Sequence, residues 1–95
     1  MRGEYNVTTA GFRNAQQHGI TPLEIFEVLD SAARLFMRVG DQSMVVAGPT
    51  DAGRHLLILV TEADLEPDVW DIVAAREMTQ PEIASYLKVR EAGPR

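Results

Sequence analysis

Cysteine is absent from this 95-residue chain, which excludes disulfide bonds and thiolate metal sites. No apolar run reaches the roughly 18 residues of a membrane-spanning helix. The first residues, MRGEYNVTTAG, lack the apolar segment of a secretory signal. We therefore expect a cytoplasmic protein without a membrane segment. Basic residues are also few, and the formal net charge of −5 works against non-specific binding to nucleic acid.

Length and composition indicate one folded domain. A chain of this size buries roughly 60–65% of its unfolded surface, which is enough for a single core. The hydrophobic content of 45% and the charged content of 24% are ordinary for a globular protein. We expect one domain over residues 1–95, with its core at about 9–89 and a frayed tail at 90–95.

Two helices are predicted in the first third of the chain. Thr8 and Thr9 offer caps for a helix over about 9–18, and Gly19 ends it as a residue that tolerates positive φ. Thr21, followed three residues later by Glu24, forms a capping box for a second helix that ends near residue 30. Apolar residues of this second helix recur at helical spacing, which predicts that one face is buried.

The middle of the chain predicts a sheet. Apolar and polar residues alternate over 34–39, and apolar runs follow at 43–48, 55–60 and 69–75. Short connections favour an antiparallel meander of about four strands, and the alternation at Tyr5 and Val7 allows a brief additional edge strand. A second capping box, Thr79 to Glu82, starts a C-terminal helix that runs to about residue 89. The predicted class is α+β, with the helices packed against one face of the sheet.

Three short motifs occur in a distinctive order. They are HGIT at 18–21, GPTDAGR at 48–54 and AREMTQPE at 75–82, and the last is followed by Tyr86. In order and spacing, this set resembles the BrnT-like toxins, which are small ribonuclease toxins of bacterial type II toxin–antitoxin systems with a RelE-like fold. The resemblance covers about residues 12–88, and its most specific part is the last motif together with Tyr86.

The resemblance implies cleavage of RNA without a metal or another cofactor, and a small antitoxin protein as partner. In such enzymes the ribose 2′-hydroxyl attacks the adjacent phosphate, and cationic side chains stabilise the developing charge. Carried over residue by residue, Arg54 and Arg76 match the cationic pair, Tyr86 matches a flanking hydroxyl, and His18 matches the usual His before Gly.

Each of these residues also has a structural interpretation. Arg76 lies between a strand and a capped helix, where it meets either a phosphate or an acidic partner such as Glu82 or Asp71. Arg54 flanks a turn and suits a solvated or sheet-crossing position. Tyr86 lies on the apolar helix face, where core packing with a partner for its hydroxyl is expected.

His18 comes just before the C-terminal Gly of its helix, and its charged form would interact favourably with that helix end. With one His on either side of the chain and no third ligand at a recognisable spacing, a metal site is not expected.

The charges at several sequence positions favour a second hypothesis about the function of this protein. Positions that are basic in BrnT-like toxins are occupied here by Gln17, Pro49 and Glu77, and carboxylates crowd the predicted loop at 62–68. These features favour a non-catalytic protein-binding module on the same fold, which would form a stable complex with a protein partner or a homodimer.

Overall fold

The computed structural model describes residues 4–63 and 68–92, which form five strands and three helices. In chain order the elements are β1 (Glu4–Val7), α1 (Thr9–Gln17), α2 (Pro22–Asp30), β2 (Leu35–Arg38), β3 (Ser43–Pro49), β4 (His55–Glu62), β5 (Val69–Glu77) and α3 (Gln80–Ala92). All three predicted helices and the four main strands are present. Positions 64–67 of the predicted acidic loop lie outside the described residues.

The strands form one sheet in the order β1-β5-β4-β3-β2. Strands β2 to β5 are the predicted antiparallel meander. The expectation of an entirely antiparallel sheet of about four strands is wrong, because β1 is a fifth strand and runs parallel to β5, with Val7 opposite Ile72. The weak alternation at Tyr5 and Val7 carries no information about this pairing, since the partner strand comes from the other end of the chain.

Both N-terminal helices begin at threonine caps. The Thr21 hydroxyl accepts a hydrogen bond from the Glu24 N–H at 3.2 Å, and the Glu24 carboxylate accepts one from the Thr21 N–H at 3.0 Å, so the predicted capping box is confirmed. Thr8 caps α1 by accepting from the Gly11 N–H at 2.9 Å. The same hydroxyl donates to the Ile72 carbonyl at 2.9 Å, which fixes the start of α1 to β5.

The main core lies between α1, α2 and one face of the sheet. Burial of one aliphatic side chain contributes about 1.5–3 kcal/mol, so this layer is the principal source of stability. Its buried residues are Ala15, Ile20, Ile25, Val28 and Leu29 from the helical segment, and Val46, Leu56, Ile58, Val60, Trp70, Ile72 and Ala75 from the sheet.

Helix α3 packs on the opposite face. Side chains alternate along a strand, so Ala47 and Leu57 point away from the main core. With Met78 they form a second cluster that includes Ile83 and Tyr86 of α3. The expectation that all helices share one face is therefore wrong, because the apolar positions of α3 match the other set of strand residues.

Two element ends differ from the predicted ones. Strand β5 continues two residues past position 75, so Arg76 and Glu77 are strand residues rather than part of an exit loop. Helix α3 continues to Ala92 rather than ending near residue 89. Positions 90–92 of the expected frayed tail are therefore helical, and positions 93–95 lie outside the described residues.

Candidate functional site

The sheet face that carries α3 is only partly covered, and it contains a depression of about 280 Å³. Its floor consists of apolar strand residues, and its rim carries polar side chains from α1 and β5. We call it the sheet depression, and its lining residues are Asn14, His18, Val45, Leu57, Leu59, Ala74, Ala75 and Arg76.

Asn14 brings α1 to the rim of the sheet depression. Strand β1 pairs with β5 only as far as Ile72, so in the part of the chain that the structure describes the last residues of β5 have no strand neighbour on that side. There the Asn14 side-chain oxygen accepts a hydrogen bond from the Ala75 N–H at 3.0 Å. One turn later, the His18 ring nitrogen Nδ1 lies 2.9 Å from the Asn14 carbonyl. This arrangement places an imidazole beside the end of β5.

Arg76 forms an exposed ion pair at the start of α3. Its two terminal nitrogens donate to the two Glu82 carboxylate oxygens, each at 2.8 Å, and one also donates to the Glu77 carbonyl at 3.1 Å. Glu82 also accepts from the Thr79 N–H at 2.8 Å, as the predicted capping box requires. The Arg76 guanidinium, with help from that N–H, lowers the pKa of Glu82 to about 2. The Arg76 and Glu82 side chains are 47% and 37% exposed, so solvent reaches both.

Arg54 is held by four groups from three separate segments. Its Nε donates to Glu77 at 2.7 Å, and one terminal nitrogen donates to both Glu24 carboxylate oxygens at 3.1 Å. Further bonds run to the carbonyls of Gly19 at 3.0 Å and His18 at 3.5 Å. These contacts, that with Glu77 first, raise the pKa of Arg54. Arg54 therefore joins the α1–α2 turn to α2 and to the end of β5.

Tyr86 is a buried residue with a bonded hydroxyl. Its side chain is 7% exposed, and its hydroxyl donates to the Ala33 carbonyl at 2.6 Å. Its ring contacts the His55 imidazole edge-on, with centroids 5.6 Å apart. Burial raises the pKa of the Tyr86 hydroxyl. This geometry agrees with the structural interpretation of Tyr86, in which its hydroxyl stabilises the packing of α3.

Of the four residues singled out in the sequence, Arg76 and His18 line the sheet depression, whereas Arg54 and Tyr86 do not. Asn14 was missed. A polar side chain four residues before His18 lies on the same helix face, and that spacing was the available signal. No sequence signal indicated its bond to β5, because that bond joins distant parts of the chain.

A second hollow of about 400 Å³ lies between α3 and strands β2 to β4. We call it the apolar groove, and its lining includes Leu35, Met37, Ala47, Leu57, Met78, Ser85, Tyr86 and Val89. Leu57 belongs to both hollows, so they adjoin each other along the open face, and Glu82 lines the apolar groove at the start of α3.

Among residues 4–63 and 68–92, no three His, Asp or Glu side chains lie close enough together to hold a metal ion. None of the helices in the same ranges is long and apolar enough to cross a membrane.

The architecture and the open sheet face define the class of this protein as a small α+β protein with a toxin-like fold. A five-stranded mixed sheet carries two helices on one face and a third helix on the other. The crystal structure of the ribonuclease toxin BrnT from Brucella abortus has this fold, with a TM-score of 0.58 and 11% sequence identity over 84% of this chain and 99% of that chain. The resemblance to BrnT is thus confirmed at the level of the fold. No family model and no curated protein sequence matches the chain.

Proposed function

We propose that this protein is a BrnT-type ribonuclease toxin that cleaves RNA at the sheet depression, without a metal, and that a small antitoxin protein covers this face. The observation that carries the proposal is the position of Arg76. Arg76 lines the sheet depression, and its guanidinium lies beside the first turn of α3, where it bonds to Glu82. The N-terminus of a helix favours bound anions, so an RNA phosphate at this point would meet a guanidinium and a helix dipole together.

The ion pair between Arg76 and Glu82 does not prevent phosphate binding. Exposed ion pairs contribute about 0–1 kcal/mol, because water screens the charges and the side chains lose freedom. Both partners are more than one-third exposed. A phosphate that binds Arg76 with two hydrogen bonds would displace the Glu82 carboxylate from Arg76 and also from the Thr79 N–H, because one Glu82 oxygen accepts from both groups.

In the proposed reaction the ribose 2′-hydroxyl loses its proton and forms a bond to the adjacent phosphorus. The bond from phosphorus to the 5′-oxygen of the next nucleotide breaks, and that oxygen gains a proton. The products are a 2′,3′-cyclic phosphate and a free 5′-hydroxyl. In this proposal Arg76 stabilises the extra negative charge on the phosphorus oxygens, and we assign the proton transfer to His18, which also lines the depression.

Arg54 and Tyr86 take positioning roles in this proposal. Arg54 binds the carbonyls of His18 and Gly19, so it fixes the turn from which the imidazole projects. Tyr86 holds α3 against the segment before β2 through its bond to Ala33. Neither side chain needs to touch RNA to support the site.

The test is incubation of the purified chain with total RNA in the presence of a chelator. We expect cleavage that leaves cyclic phosphate ends, and a loss of about 10²–10³-fold in rate for Arg76→Ala, the loss typical of removing one group that stabilises transition-state charge. Arg13→Ala is the matched control, because Arg13 is an exposed arginine of α1 that does not line the depression. Equal rates for the two variants would contradict the assignment of Arg76.

A second candidate function is a non-catalytic protein-binding module on the same fold. The observation that favours it is the charge at the site: Arg54 and Arg76 are both paired with carboxylates, and Glu77 stands beside them. This candidate predicts a stable complex with a partner protein, no RNA cleavage and no growth defect on expression. Cleavage that depends on Arg76 would exclude it.

A further inference from the structure

Within residues 4–63 and 68–92, strand β2 lies at the edge of the sheet and has β3 as its single strand neighbour. Three apolar side chains in and next to this strand are about half exposed: Phe36 at 47%, Met37 at 51% and Val39 at 54%. An unpaired strand edge with exposed apolar residues is a template for pairing with another strand. The edge of β2 is therefore suited to pairing with a strand of another chain.

The hydrogen-bond pattern shows which backbone groups face outward. The Val39 N–H donates to the Ser43 carbonyl of the β2–β3 hairpin at 3.2 Å, so it points towards β3. Backbone direction alternates along an antiparallel strand, so the N–H and C=O groups of Phe36 and Arg38 point away from the sheet. Any strand that extends the sheet must bond to these two residues.

We propose that the strand that pairs here is β2 of a second copy of this chain, antiparallel and related by a two-fold axis at Met37. In this register Phe36 of each copy lies opposite Arg38 of the other, and these pairs exchange the outward backbone hydrogen bonds. Met37 lies opposite its own equivalent on the axis. The same patch then serves both copies, as a closed two-fold dimer requires.

Charge selects this register. Three registers pair the outward residues within the strand, with centres at Phe36, Met37 or Arg38. A centre at Arg38 places two guanidinium groups opposite each other, and a centre at Phe36 places Arg34 opposite Arg38. Like charges directly opposite each other destabilise a sheet. The centre at Met37 places no two arginines directly opposite each other and leaves them as the more distant diagonal neighbours.

The side chains also favour this register on both sheet faces. The Phe36 ring lies 5.3 Å from the Arg34 guanidinium of its own chain and is still 47% exposed, so a cation from the second copy would contact the part of the ring that Arg34 leaves open. Pairing about Met37 brings Arg38 of the second copy next to it. On the other face Leu35 lies opposite Val39 of the second copy, so the apolar groove continues across the axis and the exposed Met37 becomes covered.

The proposal is independent of the RNA site. Strands β3 and β4 separate β2 from Arg76 on β5, so loss of the dimer and loss of cleavage are distinguishable outcomes.

Sedimentation equilibrium of the purified full chain tests the proposal over a concentration series. We expect a monomer–dimer equilibrium that Met37→Lys abolishes, because it places two ammonium groups opposite each other on the axis. Leu23→Lys is the matched control, since Leu23 is an apolar residue of α2 with 69% exposure, and its dimer should persist. Circular dichroism confirms that both variants are folded.

Met37→Cys provides an independent readout. The natural chain has no cysteine, so any disulfide comes from the introduced residue. Opposed residues between the hydrogen-bonded pairs lie about 4.5 Å apart at Cα, which is within disulfide range. Met37→Cys should form covalent dimers much faster than Leu23→Cys under mild oxidation. A wild-type chain that stays monomeric, equal rates for the two cysteine variants, or a dimer that survives Met37→Lys would overturn the proposal.

Discussion

The hydroxyl of Tyr86 provides a test that separates a structural role from a catalytic one. Tyr86→Phe removes one oxygen and leaves the Ala33 carbonyl without its donor at 2.6 Å. Because Tyr86 is 7% exposed, water replaces that donor poorly. Leaving a buried acceptor unpaired costs about 1–3 kcal/mol, and the low end of that range applies here because the bond to Ala33 is only partly buried. Each kcal/mol lowers the melting temperature of a domain of this size by about 4–8 °C, so we expect a drop of at least about 4 °C.

The assay for this prediction is thermal unfolding, with urea unfolding as a second measure of the free energy. Tyr5→Phe is the matched control. Tyr5 is partly buried, and among the described residues its hydroxyl makes no hydrogen bond, so its loss should change the melting temperature little.

RNA cleavage measured well below the melting temperature completes the Tyr86 test. We expect Tyr86→Phe to keep the wild-type rate, because the hydroxyl is bonded to the protein. An unchanged melting temperature, or a loss of cleavage without a loss of stability, would refute the structural assignment.

Two further predictions concern the start of α1 and the start of α3. Gly11→Ala should destabilise the protein by about 1–3 kcal/mol in urea unfolding, because the added Cβ would collide with the Ile72 carbonyl; an increase in stability, as helix propensity alone predicts, would contradict this packing. Arg76 lowers the pKa of Glu82 from 4.5 to about 2, so the contribution of Glu82 to stability is fully present above pH 4.5 and disappears as the pH falls towards 2. Urea unfolding should show a small loss of stability in that window for the wild type and a smaller one for Glu82→Gln, and identical profiles would contradict the pairing with Arg76.

Glu77 is a position at which this sequence departs from the BrnT-like pattern, and the structure shows which contact the changed residue makes. BrnT-like toxins have a second Arg at this position, and here the carboxylate of Glu77 accepts the Nε–H of Arg54 at 2.7 Å. The acidic residue therefore does more than remove a charge, because it fixes the orientation of Arg54. Of the two arginines, Arg76 is the one that lines the sheet depression, through its own place on β5.

Short motifs pointed to two of the residues that line the sheet depression, Arg76 and His18, but not to Asn14 or to the way these side chains are grouped. The sequence singled out Arg54, Arg76, His18 and Tyr86 through short motifs, and motifs of this kind depend on neighbours along the chain. Arg54 is fixed by His18, Gly19, Glu24 and Glu77 together, and no local pattern predicts a contact among such distant segments.

The sequence by itself determined the α+β class, the two capping boxes and the alternation of the central strands, because each depends on residues a few positions apart. The tertiary structure decided that β1 pairs in parallel with β5, that α3 covers the face opposite α1 and α2, and that Asn14 bonds to Ala75. These features depend on which surfaces meet when distant segments pack. The same packing separates Arg76, which lines the sheet depression, from Arg54, which joins the elements around it.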